Sequence, residues 1–347
     1  MLVTLPNSPT PQLLNSLLLY SSMNRLPYID KLKALAMLLV IMGHTFYFCM
    51  YHEHDFGNPI FSIICTFHVP LFFFLSGFVI NKAPDLHKFV GKARRFLVPM
   101  LVVGLINAAL IGRIKDFFLN GGHNGYWYLL TLTIFYLLLI PFQLTNKMSD
   151  KVVLQTNSRL AIAFLIDCAL AITIWGIIIL ISRIPENYLQ PFNTWAAFAY
   201  WPFFVIGFIC RKYTLTDIIT SKPWISASLL LAVYVLFVTT FFKDINHLPI
   251  VLDFIIALIA ITALIALFYT FNHSTTFIDR QLLLIGNSTL DIYIYHYFFI
   301  RFINLEGLEQ YPILAQIAVT ATLSILIAYG SLAIGKVVRR LLPSAPI

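Results

Sequence analysis

DKLKALAMLLVIMGH, residues 30–44, and FHVPLFFFLSGF, residues 67–78, are the stretches that decide the fold. Each belongs to an apolar run long enough to span a membrane, and each carries ionisable side chains within it. In the first, a helix would hold His44 about 16 Å from Lys33 and within about 20° of it around the axis, so the two share a face. Because an ionisable group in lipid is costly, these stretches indicate a functional site inside a membrane domain.

The composition indicates an integral membrane protein. Of the 347 residues, 59% are hydrophobic and 11% are charged, and the mean hydropathy is +0.84. No soluble domain needs so apolar a chain, whereas about 20 apolar residues suffice for one transmembrane helix. The sequence therefore predicts an all-α polytopic membrane protein of about ten transmembrane helices. The apolar runs lie near residues 32–50, 60–80, 96–112, 126–144, 160–182, 194–210, 224–242, 250–271, 282–303 and 312–335.

The basic residues predict the orientation. With both termini in the cytoplasm, nearly all of the 23 lysines and arginines fall on the cytoplasmic side. The exceptions are Arg113, Lys115, Arg183, Lys243 and Arg301. The positive-inside rule thus favours an even number of spans with both termini cytoplasmic. Since this topology accounts for the net charge of +8, we expect no nucleic-acid partner.

The ends of the chain are short beside the membrane part. Residues 1–24 contain no lysine or arginine, so they lack the charged front of a signal peptide, and they are too polar to span. We expect them to form a dispensable leader, with Met23 as a candidate start. Residues 25–340 then form one transmembrane domain, and residues 341–347 form a short cytoplasmic tail.

Several motifs, in order along residues 25–340, resemble acyltransferase family 3, the membrane-bound acyltransferases that modify bacterial surface polysaccharides. The opening Asp30-x-Leu32-Lys33-x-x-Ala36 and the spacing Lys33-x10-His44 match the family's signatures. Further matching segments are residues 67–77, 92–99, 127–129, 203–207 and 285–288, followed by His296. One departure is that no glutamate follows Trp127, where some members place one, so no role is carried over at that position.

The resemblance implies an O-acetyltransferase of the bacterial inner membrane. Its donor would be acetyl-CoA, and its acceptor would be a sugar hydroxyl of a cell-surface polysaccharide, such as a lipopolysaccharide, or of a lipid-linked precursor. Its other partners would be membrane lipids. We expect no bound cofactor and no metal, because the four cysteines match no metal-site spacing and no carboxylate cluster is apparent.

His44 is the candidate general base. Acyl transfer to a hydroxyl needs a base that works near neutral pH, and imidazole suits this role. A transient acyl-histidine is a variant, and a purely structural hydrogen bond between helices is the alternative. The family motif adds Asp30 and Lys33 to the catalytic set. Both lie near the cytoplasmic mouth. Asp30 is about 21 Å from His44 along the helix, and this distance excludes a direct catalytic triad. We expect Asp30 to pair with Arg94 or Arg95.

Three histidines are predicted to meet inside the membrane. His44, His68 and His296 lie at depths of about 18, 18 and 21 Å, counted from the cytoplasmic end of each run. Pro70 interrupts the helix after His68 and frees a carbonyl near it. The predicted substrate pocket consists of His68, Trp127, Asn287 and His296. For His68, packing is an equal alternative, and His296 could be only a wall of the pocket.

Lys92, Arg94 and Arg95 are candidate ligands for the phosphates of the coenzyme, because guanidinium and ammonium groups bind phosphate well. The alternative is that these cations only set the topology. Ser76 is a candidate for the wall of the thioester channel, although Ser76-Gly77 could equally serve close helix packing.

A proton-coupled transporter is the competing class of function. Asp167 and Asp291 are intramembrane acids that such a carrier could use. A purely structural membrane protein would leave the shared face of Lys33 and His44 unexplained.

Overall fold

The fold is a bundle of helices, seen in a computed structural model that describes residues 26–50, 58–146, 157–184, 189–241 and 248–341. Every regular element in these ranges is helical. The all-α class is therefore confirmed. The predicted leader, residues 1–24, and all but the first residue of the predicted tail lie outside the described residues.

The helices are numbered in chain order. They are α1 (Pro27–His44), α2 (Pro59–Cys65), α3 (His68–Phe78), α4 (Leu86–Leu110), α5 (Ile114–Leu119), α6 (Trp127–Leu138), α7 (Asn157–Ser182), α8 (Thr194–Lys212), α9 (Thr216–Thr220), α10 (Pro223–Thr240), α11 (Ile250–Thr270), α12 (Phe277–Asn287), α13 (Thr289–Ile300) and α14 (Ile313–Leu341). A π-helical segment, Thr45–Met50, continues α1, and short 3₁₀ turns lie at His123–Gly125 and Ile140–Thr145.

Eight helical segments of the described chain are long and apolar enough to cross a membrane. Each corresponds to one of the ten predicted runs, so the chain is a polytopic membrane protein. The other two runs fold into shorter pieces. Run 126–144 forms α6 and the 3₁₀ turn after it, and run 282–303 forms α12 and α13, which meet at Ser288.

The core of the bundle is built from α1, α3, α8 and α13. Leu32, Ile41, Phe73, Trp201 and Ile294 are fully buried there. By contrast α7 and α10 expose most of their apolar side chains, as expected for helices that face lipid. The residues that carry ionisable groups inside the bundle are therefore shielded from lipid by other helices.

Two glycines let α3 and α8 cross with their backbones in contact. A Cβ on Gly77 would overlap the carbonyl oxygen of Phe204, and a Cβ on Gly207 would overlap that of Phe74. Small residues at such crossings allow close packing of membrane helices. Gly77 therefore serves close helix packing, and the contact fixes the position of α3 beside the site described below.

A buried ion pair joins α7 and α8. Lys212 Nζ lies 2.8 Å from Asp167 Oδ2, and both side chains are almost completely buried. Thr145 and Tyr213 donate further hydrogen bonds to the same carboxylate, at 2.5 and 2.8 Å. Because every charged atom has a partner, the pair fixes the two helices without leaving an unsatisfied group.

Candidate active site

A cavity of about 380 Å³ lies among α1, α3, α4, α6, α8 and the α12–α13 junction. We call it the central cavity. One end of the central cavity is lined by charged side chains. We call this the polar end of the cavity, and we call the end of the helix bundle on which it lies the basic end. The charged lining residues are Asp30, Lys33, Lys92, Arg95 and Arg211, and Asn81 is bonded to Arg211. Four cations against one carboxylate make this end a binding surface for an anion.

The first turn of α1 presents an ion pair to the cavity. Lys33 Nζ lies 2.5 Å from Asp30 Oδ1, one helical turn away. The structure thus pairs Asp30 with Lys33 rather than with Arg94 or Arg95. The reason is local, because residues three apart on a helix are neighbours on its surface. Lys33 remains 22% exposed, so it can turn toward a ligand.

Lys31 anchors this turn from its other side. Its ammonium group lies 2.5 Å from Asp279 Oδ1 and donates to the carbonyl of Phe271 at 2.7 Å. The hydrogen bond from Lys31 holds the pKa of Asp279 well below its usual range. Because Asp279 caps the first turn of α12, this pair ties α1 to α12 and sets the position of Asp30 and Lys33. Sequence reasoning gave Lys31 no role.

Deeper in the bundle, His44 and His296 form a pair. His44 Nδ1 lies 3.0 Å from His296 Nε2, and the two rings are nearly parallel with centroids 5.2 Å apart. His44 ends α1, and His296 is fully buried on α13. Two residues that are 252 positions apart in the chain are therefore brought into one site, as the matching depths predicted.

The surroundings of His296 determine which nitrogens of the pair carry protons. Its Nδ1 faces the backbone carbonyls of Tyr293 at 2.6 Å and Ile292 at 3.2 Å, which can only accept. The proton of a neutral His296 is therefore on Nδ1, and its Nε2 accepts from the Nδ1–H of His44. This leaves His44 Nε2 without a proton, and its lone pair faces the Tyr297 hydroxyl. Such an atom is what a general base requires.

One tyrosine hydroxyl group lies beside that nitrogen, and a second is bonded to the same backbone carbonyl. The Tyr297 hydroxyl lies 3.3 Å from His44 Nε2 and 3.2 Å from the carbonyl oxygen of Gly125. Tyr293 donates to the same carbonyl at 2.7 Å. Gly125 has a φ of +99°, and a Cβ there would overlap the Tyr297 ring, so this position requires glycine. The backbone at Gly125 thus holds both tyrosines.

The helix changes form directly after His44. Residues Thr45–Met50 continue α1 as a π-helix, and the Thr45 hydroxyl donates to the carbonyl of Ile41. Such widened turns are frequent at functional sites. The change starts at the residue that follows the candidate base, so it bears on how His44 is presented.

Comparison with known families identifies the chain. The model described as an acyltransferase domain, that of acyltransferase family 3, matches residues 26–335, nearly the whole chain. The chain belongs to acyltransferase family 3. The resemblance seen in the motifs is thereby confirmed, and the protein is a membrane acyltransferase. No curated protein and no solved structure matches the chain.

The acyltransferase does not bring all the predicted catalytic residues together. Asp30 and Lys33 line the polar end of the central cavity and pair with each other, whereas the partners of His44 are His296 and Tyr297. Asp30 and Lys33 thus border the cavity, whereas His44 is not part of its lining.

Only some of the residues predicted to bind the donor line the central cavity. Lys92 and Arg95 line the central cavity, but Arg94 is exposed and does not. Arg211, which sequence reasoning left out, lies in the lining and donates to Asn81 Oδ1 at 2.6 Å. Ser76 also lines the cavity, as predicted. Arg211 precedes Lys212 at the end of an apolar run, and that basic pair was its only signal.

The predicted pocket residues differ in the same way. Asn287 lines the central cavity, but Trp127 packs beside it against Tyr200, with ring centroids 5.8 Å apart, and Tyr128 takes the place in the wall. His68 bonds the carbonyl of Ile64 at 2.8 Å, in the break between α2 and α3. A Cβ on Gly43 would lie 3.6 Å from His68 Nε2, so His68 lies beside the residue that precedes His44. His296 is no wall of the cavity, since it contacts the candidate base.

Proposed function

We propose that this acyltransferase moves an acetyl group from acetyl-CoA to a sugar hydroxyl of a cell-surface glycan or its lipid-linked precursor. In this proposal the basic end faces the cytoplasm of a bacterium, in its inner membrane. Lys92, Arg95 and Arg211 hold the phosphates of the coenzyme, and its thioester arm enters the central cavity. The single observation that carries the proposal is the His44–His296 pair, which lies one aromatic ring, that of Tyr293, away from a cavity lined by cations.

The chemistry follows from that nitrogen. As His44 Nε2 takes the proton of the acceptor hydroxyl, the hydroxyl oxygen forms a bond to the carbonyl carbon of the thioester. Collapse of the tetrahedral intermediate breaks the carbon–sulfur bond. The His44 imidazolium then returns its proton to the leaving sulfur, which gives an acetyl ester and the free thiol of the coenzyme.

His296 has a positioning role in this scheme. It accepts from Nδ1 of His44 and so keeps the basic lone pair on Nε2, where it is useful. The Tyr297 hydroxyl occupies the place near Nε2 that an acceptor hydroxyl would take. The two contacts support a base at this position, because they leave an unprotonated Nε2 with a hydroxyl group beside it, which is the arrangement that proton transfer from an acceptor hydroxyl requires.

The test compares wild-type membranes with membranes that contain His44→Ala. Thiol release from acetyl-CoA and acetyl esters on the surface glycan are measured together. We expect a loss of at least about 100-fold in the variant. The matched control is His273→Ala, which removes an exposed histidine far along the chain and should keep full activity. A folded His44→Ala protein that acetylates as well as wild type would overturn the mechanism.

The transporter alternative finds less support. The two acids that it would use are both committed to ion pairs: Asp167 with Lys212, and Asp291 with Arg339. Both carboxylates thus already serve as contacts between helices. Transport of a solute without thiol release would nevertheless favour the carrier.

A further inference from the structure

The central cavity is closed at its inner end by three aromatic residues from three helices. Phe72 of α3, Tyr128 of α6 and Tyr293 of α13 are each the lining residue of their helix that lies farthest from the basic end. The rings of Phe72 and Tyr128 have centroids 5.0 Å apart, and those of Tyr128 and Tyr293 are 5.3 Å apart. These separations are those of packed rings, so the three side chains form one continuous layer, the aromatic layer.

Hydrogen bonds hold the two tyrosines of the aromatic layer. The Tyr128 hydroxyl bonds Ser76 Oγ at 2.6 Å, and the Tyr293 hydroxyl donates to the carbonyl oxygen of Gly125 at 2.7 Å. Both tyrosines are buried. A buried ring with its hydroxyl bonded has one preferred position, so the layer is a defined wall.

Only the thickness of this layer separates the central cavity from the histidine pair. The Tyr293 ring lies 5.6 Å from the ring of His296, centroid to centroid. The carbonyl of Gly125 that receives Tyr293 also receives Tyr297, whose hydroxyl lies 3.3 Å from His44 Nε2. A thioester carbonyl that is to meet Nε2 must therefore lie against Tyr293.

We propose that Tyr293, supported by Tyr128, sets the size of the acyl group that the enzyme transfers. This inference rests on the proposed function, because it concerns the donor bound in the central cavity. The acyl chain extends from the thioester carbon toward the aromatic layer, at the inner end of the central cavity. An acetyl methyl group fits beside the rings, whereas each further methylene meets them. A pocket wall of this kind discriminates by about tenfold or more for each methylene group.

The test measures thiol release from acetyl-CoA and from butanoyl-CoA by membranes of the full-length protein. Wild type should strongly prefer acetyl-CoA. In Tyr293→Ala the ratio of kcat/KM for butanoyl to acetyl should rise by about tenfold or more. Tyr293→Phe keeps the ring and should keep the preference. If Tyr293→Ala does not fold, Tyr128→Ala opens the same wall and should raise the same ratio.

Tyr295→Ala is the matched control. Tyr295 is on the same helix and is also buried, but it does not line the central cavity, so its truncation should leave the ratio unchanged. Equal losses for both donors in folded Tyr293→Ala would overturn the inference, as would a wild-type enzyme that uses both donors equally. If wild type releases thiol from acetyl-CoA and His44→Ala does not, the proposed function stands even when this inference fails. Absence of thiol release from either donor in wild type would overturn both.

Discussion

The polar end of the central cavity and the histidine pair differ in how firmly they are built. At the polar end Lys92 and Arg95 are exposed cations on one face of α4, and Lys33 is only partly buried. Around His44, the side chains of His296, Tyr293 and Tyr297 are each bonded to a backbone carbonyl, and His296 is fully buried. Binding of an anion by several flexible cations tolerates the loss of one, whereas a base held in one tautomer does not.

The largest effect should follow from His296→Phe, which keeps an aromatic ring on α13 and removes the acceptor of His44. Without that acceptor, the proton of His44 is free to move to Nε2, where it blocks the base. We expect kcat to fall by about 10²–10⁴, with little change in KM for acetyl-CoA. Steady-state thiol release measures both constants. An increase in KM with unchanged kcat would show that His296 belongs with the binding surface instead.

Gly125→Ala should be the next most damaging change. It forces a left-handed φ on alanine and drives a methyl group into Tyr297, for a loss of about 1–3 kcal/mol in stability. Activity should fall as well, because the displaced Tyr297 ring can no longer hold its hydroxyl beside His44 Nε2. Gly112→Ala is the matched control, since Gly112 has a φ of +70° with open space around it. Thermal unfolding in detergent and thiol release should separate the two variants, and equal behaviour would contradict the role of Gly125.

Changes at the polar end should be smaller and should act on binding. Lys92→Ala and Arg95→Ala should each raise KM for acetyl-CoA by about tenfold with little effect on kcat. The increase should shrink at high salt, because exposed charges are screened. Arg94→Ala is the control on the same helix, and it should leave KM unchanged because Arg94 does not line the cavity. An Arg94→Ala effect as large as that of Arg95→Ala would refute this assignment.

The smallest effect is expected from Lys33→Gln. The Asp30–Lys33 pair is partly exposed, and such pairs contribute about 0.2–1 kcal/mol. We expect a change of less than about fivefold, confined to KM. A collapse of kcat comparable to that of His44→Ala would instead make Lys33 part of the catalytic step, as the family motif suggested.

Much of the site was predictable because helix geometry fixes depth. Counting residues from the membrane edge placed His44 and His296 at similar levels, and they are bonded in the structure. Their lateral approach was not predictable, because it depends on which helices pack together. The position of the proton on His296 was not predictable either, because it depends on the backbone carbonyl of Tyr293.

Two residues predicted to line the site do not line it, and both errors have the same physical cause. Arg94 and Arg95 are adjacent, as are Trp127 and Tyr128, and in each pair only the second residue lines the central cavity. Adjacent positions on a helix point about 100° apart, so a motif can identify the segment while the packing decides the residue. The aromatic run of α13 suffered the same ambiguity. Its spacing puts Tyr293 and Tyr297 on one face and Tyr295 on another, but only the packing of α13 against α1 decides which face meets His44.

The crossing of Gly77 and Gly207 has a mechanical consequence. Because α3 and α8 touch through their main chains, neither can slide or tilt without the other, and we expect the two helices to move as one rigid unit. This helix pair supplies Phe72 and Ser76 to the cavity wall and Arg211 to its polar end. We therefore expect the side of the cavity that α3 and α8 form to keep its shape when a substrate enters.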